Sequence, residues 1–104
     1  MSGRIRVRVT GTVQGVGFRP FVARLARALG AAGWVRNDAA GVVLEAEAPE
    51  PVLAALVDRL RRDAPPLARI DHVTVTALAP TGEPGFTIRT SAAAGSAVTG
   101  VAAD

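Results

Sequence analysis

A glycine-containing run near the N-terminus carries the groups best suited to bind an anion. Its six residues are Gln14, Gly15, Val16, Gly17, Phe18 and Arg19. Glycine adopts positive φ easily, so Gly15 and Gly17 can turn successive backbone N–H groups toward one point and form a nest for an anion. The guanidinium of Arg19 matches a phosphoryl group through two parallel hydrogen bonds. The run therefore predicts a loop that binds phosphate.

The same run also fits an ordinary tight turn, because a bare Gly-x-Gly sequence is common. It does not fit the dinucleotide-binding fingerprint, since Pro20 stands where that motif has its third glycine. It does not fit the Walker A motif either, because that motif needs a lysine and the chain contains none. Spacing alone therefore leaves phosphate binding and a plain turn open.

Asn37 is the second candidate for chemistry, and it immediately precedes a turn-like segment. An Asn before a turn commonly hydrogen-bonds its own backbone, which is a purely structural role. Its amide oxygen can also accept a hydrogen bond from water and direct the lone pair of that water toward phosphorus, as water-positioning residues do in phosphoryl transfer. The catalytic role requires Asn37 to lie beside the loop.

The residue inventory limits the chemistry that is available. Among 104 residues there is no Cys, Lys or Tyr and only one His, so the usual covalent nucleophiles and general bases are nearly absent. That residue, His72, lies among threonines, and we interpret it as a solvated surface residue. A net charge of +3 suits an anionic ligand and does not by itself indicate nucleic acid. Catalysis would therefore rely on positioning and on charge stabilisation.

Composition also indicates the cellular compartment in which the protein is expected. A chain without Cys needs no oxidising environment. Residues 1–6 alternate charged and aliphatic types and offer no apolar signal core, and no stretch approaches the roughly 20 apolar residues that span a bilayer. These patterns predict a cytoplasmic protein that binds neither membrane nor nucleic acid and is monomeric as an isolated domain.

Hydrophobic periodicity predicts a βαββαβ order. Apolar and polar residues alternate as in strands at 4–10 and 72–77. A hairpin turn at 38–41 predicts an antiparallel pair of strands at 34–37 and 42–47, and a short last strand is expected at 86–88. Apolar residues at helical spacing predict one helix over about 20–30 and a second that is introduced by the run 49–51 and ended by Pro65 and Pro66. This order predicts an α+β, ferredoxin-like sandwich with an antiparallel sheet and two helices on one face.

This topology predicts that the two candidate segments meet. The helical crossover makes the first two strands parallel, with the third strand between them, so both strands end at the same edge of the sheet. Two strand spacings of about 4.8 Å each then separate the loop from Asn37. We therefore expect both to border one shallow cleft.

Two further regions have simpler interpretations. Arg4, Arg6 and Arg8 alternate with aliphatic residues, so we expect them on the open sheet face, where they favour solubility or docking to an acidic neighbour. Residues 92–104 are mostly small and show no periodicity, so we expect a domain at 1–91 followed by a flexible tail or linker stub.

Together, the two candidate segments resemble the acylphosphatase signature. Residues 11–19 form its first block and residues 33–37 its second, in order and at the right separation. The resemblance implies hydrolysis of a small acyl phosphate to a carboxylate and phosphate, with neither metal nor cofactor. It also implies that the loop at 14–19 binds the substrate and that Arg19 and Asn37 are the catalytic residues.

Finer features are similar to the acylphosphatase-like domain at the N-terminus of the hydrogenase-maturation carbamoyltransferase HypF. They are Arg19-Pro20-Phe21, Asn37-Asp38 with Gly41-Val42, and the segment 64–70. Ala48 departs from the family, which more often has Gly there. The similarity implies carbamoyl phosphate as the substrate and the remaining domains of a HypF-type carbamoyltransferase as partners.

Two alternatives belong to other classes of function. A catalytically idle phosphate-binding or docking domain of a larger carbamoyltransferase would keep the same loop. RNA-recognition modules share the fold order, but they present stacking aromatic residues on their central strands, and strands one and three here carry none. Phosphate binding without turnover would favour the idle domain.

Overall fold

The computed structural model describes residues 2–89, which form a five-stranded sheet and two helices. The elements are β1 (Ser2–Thr12), α1 (Phe18–Leu29), β2 (Ala32–Asp38), β3 (Gly41–Pro49), α2 (Glu50–Arg62), β4 (Arg69–Leu78) and β5 (Phe86–Ile88). Neither helix in this part of the chain is long and apolar enough to cross a membrane. The predicted tail at 92–104 lies outside the described residues.

The sheet has the predicted topology and adds one parallel pairing. Its strand order is β4-β1-β3-β2-β5. β3 runs antiparallel to both β1 and β2, so those two strands are parallel to each other. The segment between β4 and β5 carries the chain from one sheet edge to the other and reverses it, which makes β5 parallel to β2. The ferredoxin-like fold is therefore confirmed, with a mixed sheet where a wholly antiparallel one was expected.

The core lies between the helices and one face of the sheet. Alternate strand residues supply the sheet side, because side chains one position apart point to opposite faces. These residues are Val7, Val9, Val35, Val42, Leu44 and Ala46. The helices contribute Phe18, Val22 and Ala26 from α1 and Leu53, Leu56 and Leu60 from α2. This packing places α1 over β2 and β5, and α2 over β1 and β3.

The first helix begins before the residue that the sequence predicted. Gly17 caps α1 with a φ of 81°, so the helix starts at Phe18 and places Pro20 in its first turn. The first turn tolerates proline, because the N–H groups there have no intrahelical acceptor. α2 starts at Glu50, within the run 49–51 that was expected to introduce it, and it too has a proline in its first turn. The proline inside the start of α1 therefore made the predicted start of that helix two residues late.

The open face of the sheet carries a network of ion pairs. Arg4 is only 3% exposed and donates hydrogen bonds to Glu45, Glu47 and Glu83. Arg6 bonds the second carboxylate oxygen of Glu45 at 2.7 Å. Burial alone would raise the pKa of Glu45, but the hydrogen bonds from Arg6 and Arg4 outweigh burial and lower it. The arginines do lie on the open face, yet their carboxylate neighbours belong to this same chain.

Candidate functional site

The loop between β1 and α1 has the backbone geometry of an anion nest. Gly15 and Gly17 have φ values of 74° and 81°, in the left-handed region that glycine adopts without strain. Within residues 2–89, the N–H groups of Gly15, Val16 and Gly17 donate to no protein acceptor. These donors and the N-terminus of α1 lie in consecutive residues, which suits a bound anion.

The side chains of the loop have different surroundings. Phe18 is 1% exposed and belongs to the core, so only its backbone is available to a ligand. Val16 packs partly against the same core. Arg19 is the second residue of α1 and is half-buried. The core contacts of Val16 and Phe18 anchor the loop on both sides of Gly17, so its conformation is set before any ligand arrives.

Asn37 lies near the end of β2, on the face of the sheet that carries the helices. It pairs with Val42 of β3, which in turn pairs with Val9 of β1. Asn37 thus stands two strands away from β1, a distance of about 10 Å. Its Oδ1 is buried, and no donor among residues 2–89 reaches it. A buried acceptor without a donor is costly in a folded protein, by about 1–3 kcal/mol, so it is a candidate for a functional role.

The side chain of Gln14 connects the loop to the β2–β3 hairpin. Its Nε2 donates to the backbone oxygen of Asp38 at 2.6 Å and to that of Gly41 at 2.8 Å. The amide nitrogen of Gln14 therefore faces the hairpin and holds the two halves of the candidate site together. Of the six loop residues, Gln14 is the one whose side chain makes this connection.

Asp38 is anchored more firmly than its neighbours in the hairpin. Its Oδ1 accepts hydrogen bonds from the N–H groups of Ala40 and Gly41 at 2.9 and 3.0 Å, and its Oδ2 accepts one from Arg8. Burial alone would raise the pKa of Asp38, but the bonds from Ala40 and Arg8 outweigh it and lower the pKa. The carboxylate is therefore charged and fixed at neutral pH.

No pattern in the sequence indicated the contact between Arg8 and Asp38. These residues lie on β1 and β2, on either side of β3, and they are 30 positions apart in the chain. The two predicted catalytic residues, in contrast, border the same edge of the sheet, because β1 and β2 are parallel. A charged residue at a hairpin turn was the available signal for Asp38, whereas its partner depended on the register of the sheet.

The chain is similar to proteins of two kinds. Residues 5–88 match the family model for acylphosphatase. The carbamoyltransferase HypF2 of Cupriavidus necator is 69% identical over 67% of this chain, which corresponds to 9% of that protein. The acylphosphatase of Rhodospirillum rubrum is 44% identical over 82% of this chain and 93% of its own length. The chain thus spans about a tenth of the length of the carbamoyltransferases that it matches and most of the length of the small acylphosphatases.

Solved structures show the same two kinds of similarity. A full-length HypF in its phosphate- and nucleotide-bound form superposes with a TM-score of 0.85 at 29% identity, over 88% of this chain and 12% of the other. The acylphosphatase from Bacillus subtilis superposes with a TM-score of 0.78 at 34% identity, over 86% of this chain and 99% of the other. With its fold, its loop and the matched residues 5–88, the chain belongs to the acylphosphatase family.

Proposed function

We propose that this chain hydrolyses small acyl phosphates, with Arg19 and the loop at 14–19 binding the phosphoryl group and Asn37 positioning the attacking water. The observation that carries the proposal is the buried Oδ1 of Asn37, which no donor among residues 2–89 reaches. The strand that carries Asn37, β2, ends at the same edge of the sheet as β1, which leads into the glycine loop. A water molecule held between Asn37 and the loop would donate a hydrogen bond to the amide oxygen and accept one from a loop N–H group.

The loop supplies the charge stabilisation that phosphoryl transfer needs. The equatorial oxygens of the phosphoryl group carry the charge in the transition state, and fixed donors aimed at them lower the barrier. The N–H groups of Gly15, Val16 and Gly17 are such donors, and the guanidinium of Arg19 adds a charge-assisted pair. The core contacts of the loop keep these groups in place, so little reorganisation is required during the reaction.

Asn37 orients the nucleophile and need not ionise. Its Oδ1 accepts a hydrogen bond from water, and the lone pair of that water points toward phosphorus. The new P–O bond forms as the bond between phosphorus and the acyl oxygen breaks, and the carboxylate leaves. A phosphate oxygen of the substrate takes the proton of the water. A carboxylate is a weak base, so its departure requires no general acid.

The similarities to known proteins also suggest a physiological setting for this activity. The similarity to carbamoyltransferases supports a role as one domain of such a protein, with carbamoyl phosphate as substrate and the remaining domains as partners. The similarity to complete acylphosphatases supports hydrolysis by this domain itself. A chain without cysteine also suits a cytoplasmic location.

The test is hydrolysis by the chain itself. We expect release of phosphate from benzoyl, acetyl and carbamoyl phosphate, with competitive inhibition by inorganic phosphate. Binding of phosphate with no turnover of any of the three substrates would contradict the proposal and favour the idle domain. Absence of phosphate binding would contradict both functions.

A further inference from the structure

We propose that Asp38, held by Arg8 and Gln14, is the positioning residue that fixes Asn37 relative to the phosphate-binding loop. This inference rests on the function proposed above and deepens it, because it names the contacts that connect the two halves of the site. Asp38 makes these contacts with both its side chain and its backbone, each of which accepts hydrogen bonds.

Asp38 connects three parts of the molecule. Its Oδ1 closes the two-residue turn by accepting from Ala40 and Gly41. Its Oδ2 pairs with Arg8, which reaches it from β1 across β3. Its backbone oxygen accepts from the amide of Gln14 at 2.6 Å. Strand, turn and loop therefore meet at the residue that follows Asn37.

Gly41 makes this arrangement possible on the open face of the sheet. It is the β3 residue that lies between Thr10 of β1 and Asp38 of β2. A larger residue there would collide with the backbone oxygen of Val9, because an added Cβ would lie 2.2 Å from it.

Asn37 depends on this support because its own side chain has little. Among residues 2–89, its Oδ1 receives no hydrogen bond from the protein. The position of the amide therefore follows from the backbone of β2 and from the adjoining peptide at Asp38. A shift of about 1 Å in a positioning group can cost about a hundredfold in rate. Contacts that hold Asp38 are thus contacts that hold the nucleophilic water.

Arg8→Met is the test, and Arg6→Met is its matched control. Both arginines lie on β1 and point to the same face, and their side chains are 43% and 48% exposed. Each pairs with one carboxylate, but the partner of Arg6 is Glu45, which keeps Arg4 as a second partner. We expect Arg8→Met to lower kcat roughly tenfold with KM and phosphate inhibition unchanged, and Arg6→Met to leave all three unchanged.

A double-mutant cycle separates positioning from a direct role. If Arg8 acts through Asn37, then Arg8→Met should lower kcat in the native background and should have no further effect in the Asn37→Ala background. Equal losses in both backgrounds would overturn the proposal, because Arg8 would then act on the reaction independently of Asn37. An unchanged kcat in Arg8→Met alone would overturn it as well.

A second measurement does not depend on turnover. Heteronuclear NMR of the side-chain amide of Asn37 should give one sharp pair of resonances in the native chain and in Arg6→Met. In Arg8→Met we expect those resonances to broaden or to split into several conformers. A sharp, single conformer in Arg8→Met would overturn the positioning role. If the native chain fails to hydrolyse acyl phosphates, the proposed function fails, while this measurement still decides whether Asp38 fixes Asn37.

Discussion

At the scale of single residues, the two candidate catalytic groups differ in the state that they stabilise. In the proposed reaction, the guanidinium of Arg19 would bind phosphate in the bound substrate, the transition state and the product alike. Asn37 is neutral, and no donor among residues 2–89 reaches its buried oxygen, so in the proposed reaction the partner of that oxygen is the attacking water. Substitutions at the two positions should therefore change different kinetic constants.

Arg19→Ala should weaken phosphate inhibition and lower kcat/KM together. Loss of a charge-assisted pair in a half-buried loop costs on the order of 2–4 kcal/mol, which is a thirtyfold to thousandfold effect. Arg19→Lys should recover little, because an ammonium group cannot donate two parallel hydrogen bonds. Phosphate inhibition measured with the hydrolysis assay tests this. Full phosphate affinity in Arg19→Ala would show that the loop does not bind the phosphoryl group.

Asn37→Ala should leave phosphate inhibition unchanged and lower kcat by on the order of a hundredfold, because the lost contact is made to the attacking water. Asn37→Asp should lower both affinity and turnover, since a carboxylate would face an incoming anion. If Asn37 only shapes the turn, Asp should be tolerated there. Steady-state kinetics of both variants, with the fold checked by circular dichroism, distinguish the two roles.

Residue type and spacing made Arg19 and Asn37 candidates, and the resemblance to acylphosphatases supplied their expected roles. The contact between Asp38 and Arg8 could not be predicted from the sequence, for a physical reason. Their contact depends on which residues of β1, β3 and β2 stand side by side, and a shift of register by one residue would place Arg8 on the other face. Local patterns cannot fix that register, although they do predict the strands.

At the scale of elements, the pairing of β1 with β3 brings opposite charges together on the open face. Arg4 pairs with Glu47 in the register of these strands, and Arg6 pairs with Glu45. Sequence periodicity placed the arginines on this face correctly. It could not show that Arg4 is buried beneath Glu45, Glu47 and Glu83, because two of those carboxylates come from β3 and one from the segment before β5.

This charge network makes the stability of the fold dependent on pH. The pKa of Glu47 is lowered, chiefly by a hydrogen bond from the N–H of Thr81, and the pKa values of Glu45 and Asp38 are lowered as well. A carboxylate with a lowered pKa stabilises the fold above its ordinary pKa, and that stability is lost as the pH falls through the lowered value. We therefore expect the urea midpoint to be constant near neutral pH and to fall steadily below about pH 4. A midpoint unchanged down to about pH 2 would contradict this.

Arg4→Met tests the same network at one position. Removing the buried guanidinium leaves three carboxylates without their shared partner, which should cost about 3 kcal/mol of unfolding free energy near neutral pH. The loss should shrink in acid, because the carboxylates are then protonated in both variants. Urea unfolding at neutral and acidic pH measures it. An equal loss of unfolding free energy at both pH values would mean that Arg4 acts through packing and not through charge.

At the scale of the whole molecule, one core serves both the fold and the site. The helices and the sheet enclose residues between Val7 and Phe86, and the family model covers residues 5–88. The loop and Asn37 are both attached to this core, the loop through Val16 and Phe18 and Asn37 through its neighbour Val35. A domain limited to 1–91 would thus contain every group that the proposed reaction uses.

Removal of residues 92–104 tests that domain boundary. Because the core and the candidate site lie within residues 2–89, we expect the shortened chain to keep its melting temperature within a few degrees and its kcat within about twofold, in line with changes that touch no packed or hydrogen-bonded group. The comparison needs thermal unfolding and hydrolysis assays on both lengths of chain under identical conditions. A drop of more than about 8 °C, equivalent to over about 1 kcal/mol for a domain of this size, would show that residues 92–104 contribute to the fold. A loss of activity at unchanged melting temperature would instead assign them to the site, and either result would move the boundary of the domain beyond residue 91.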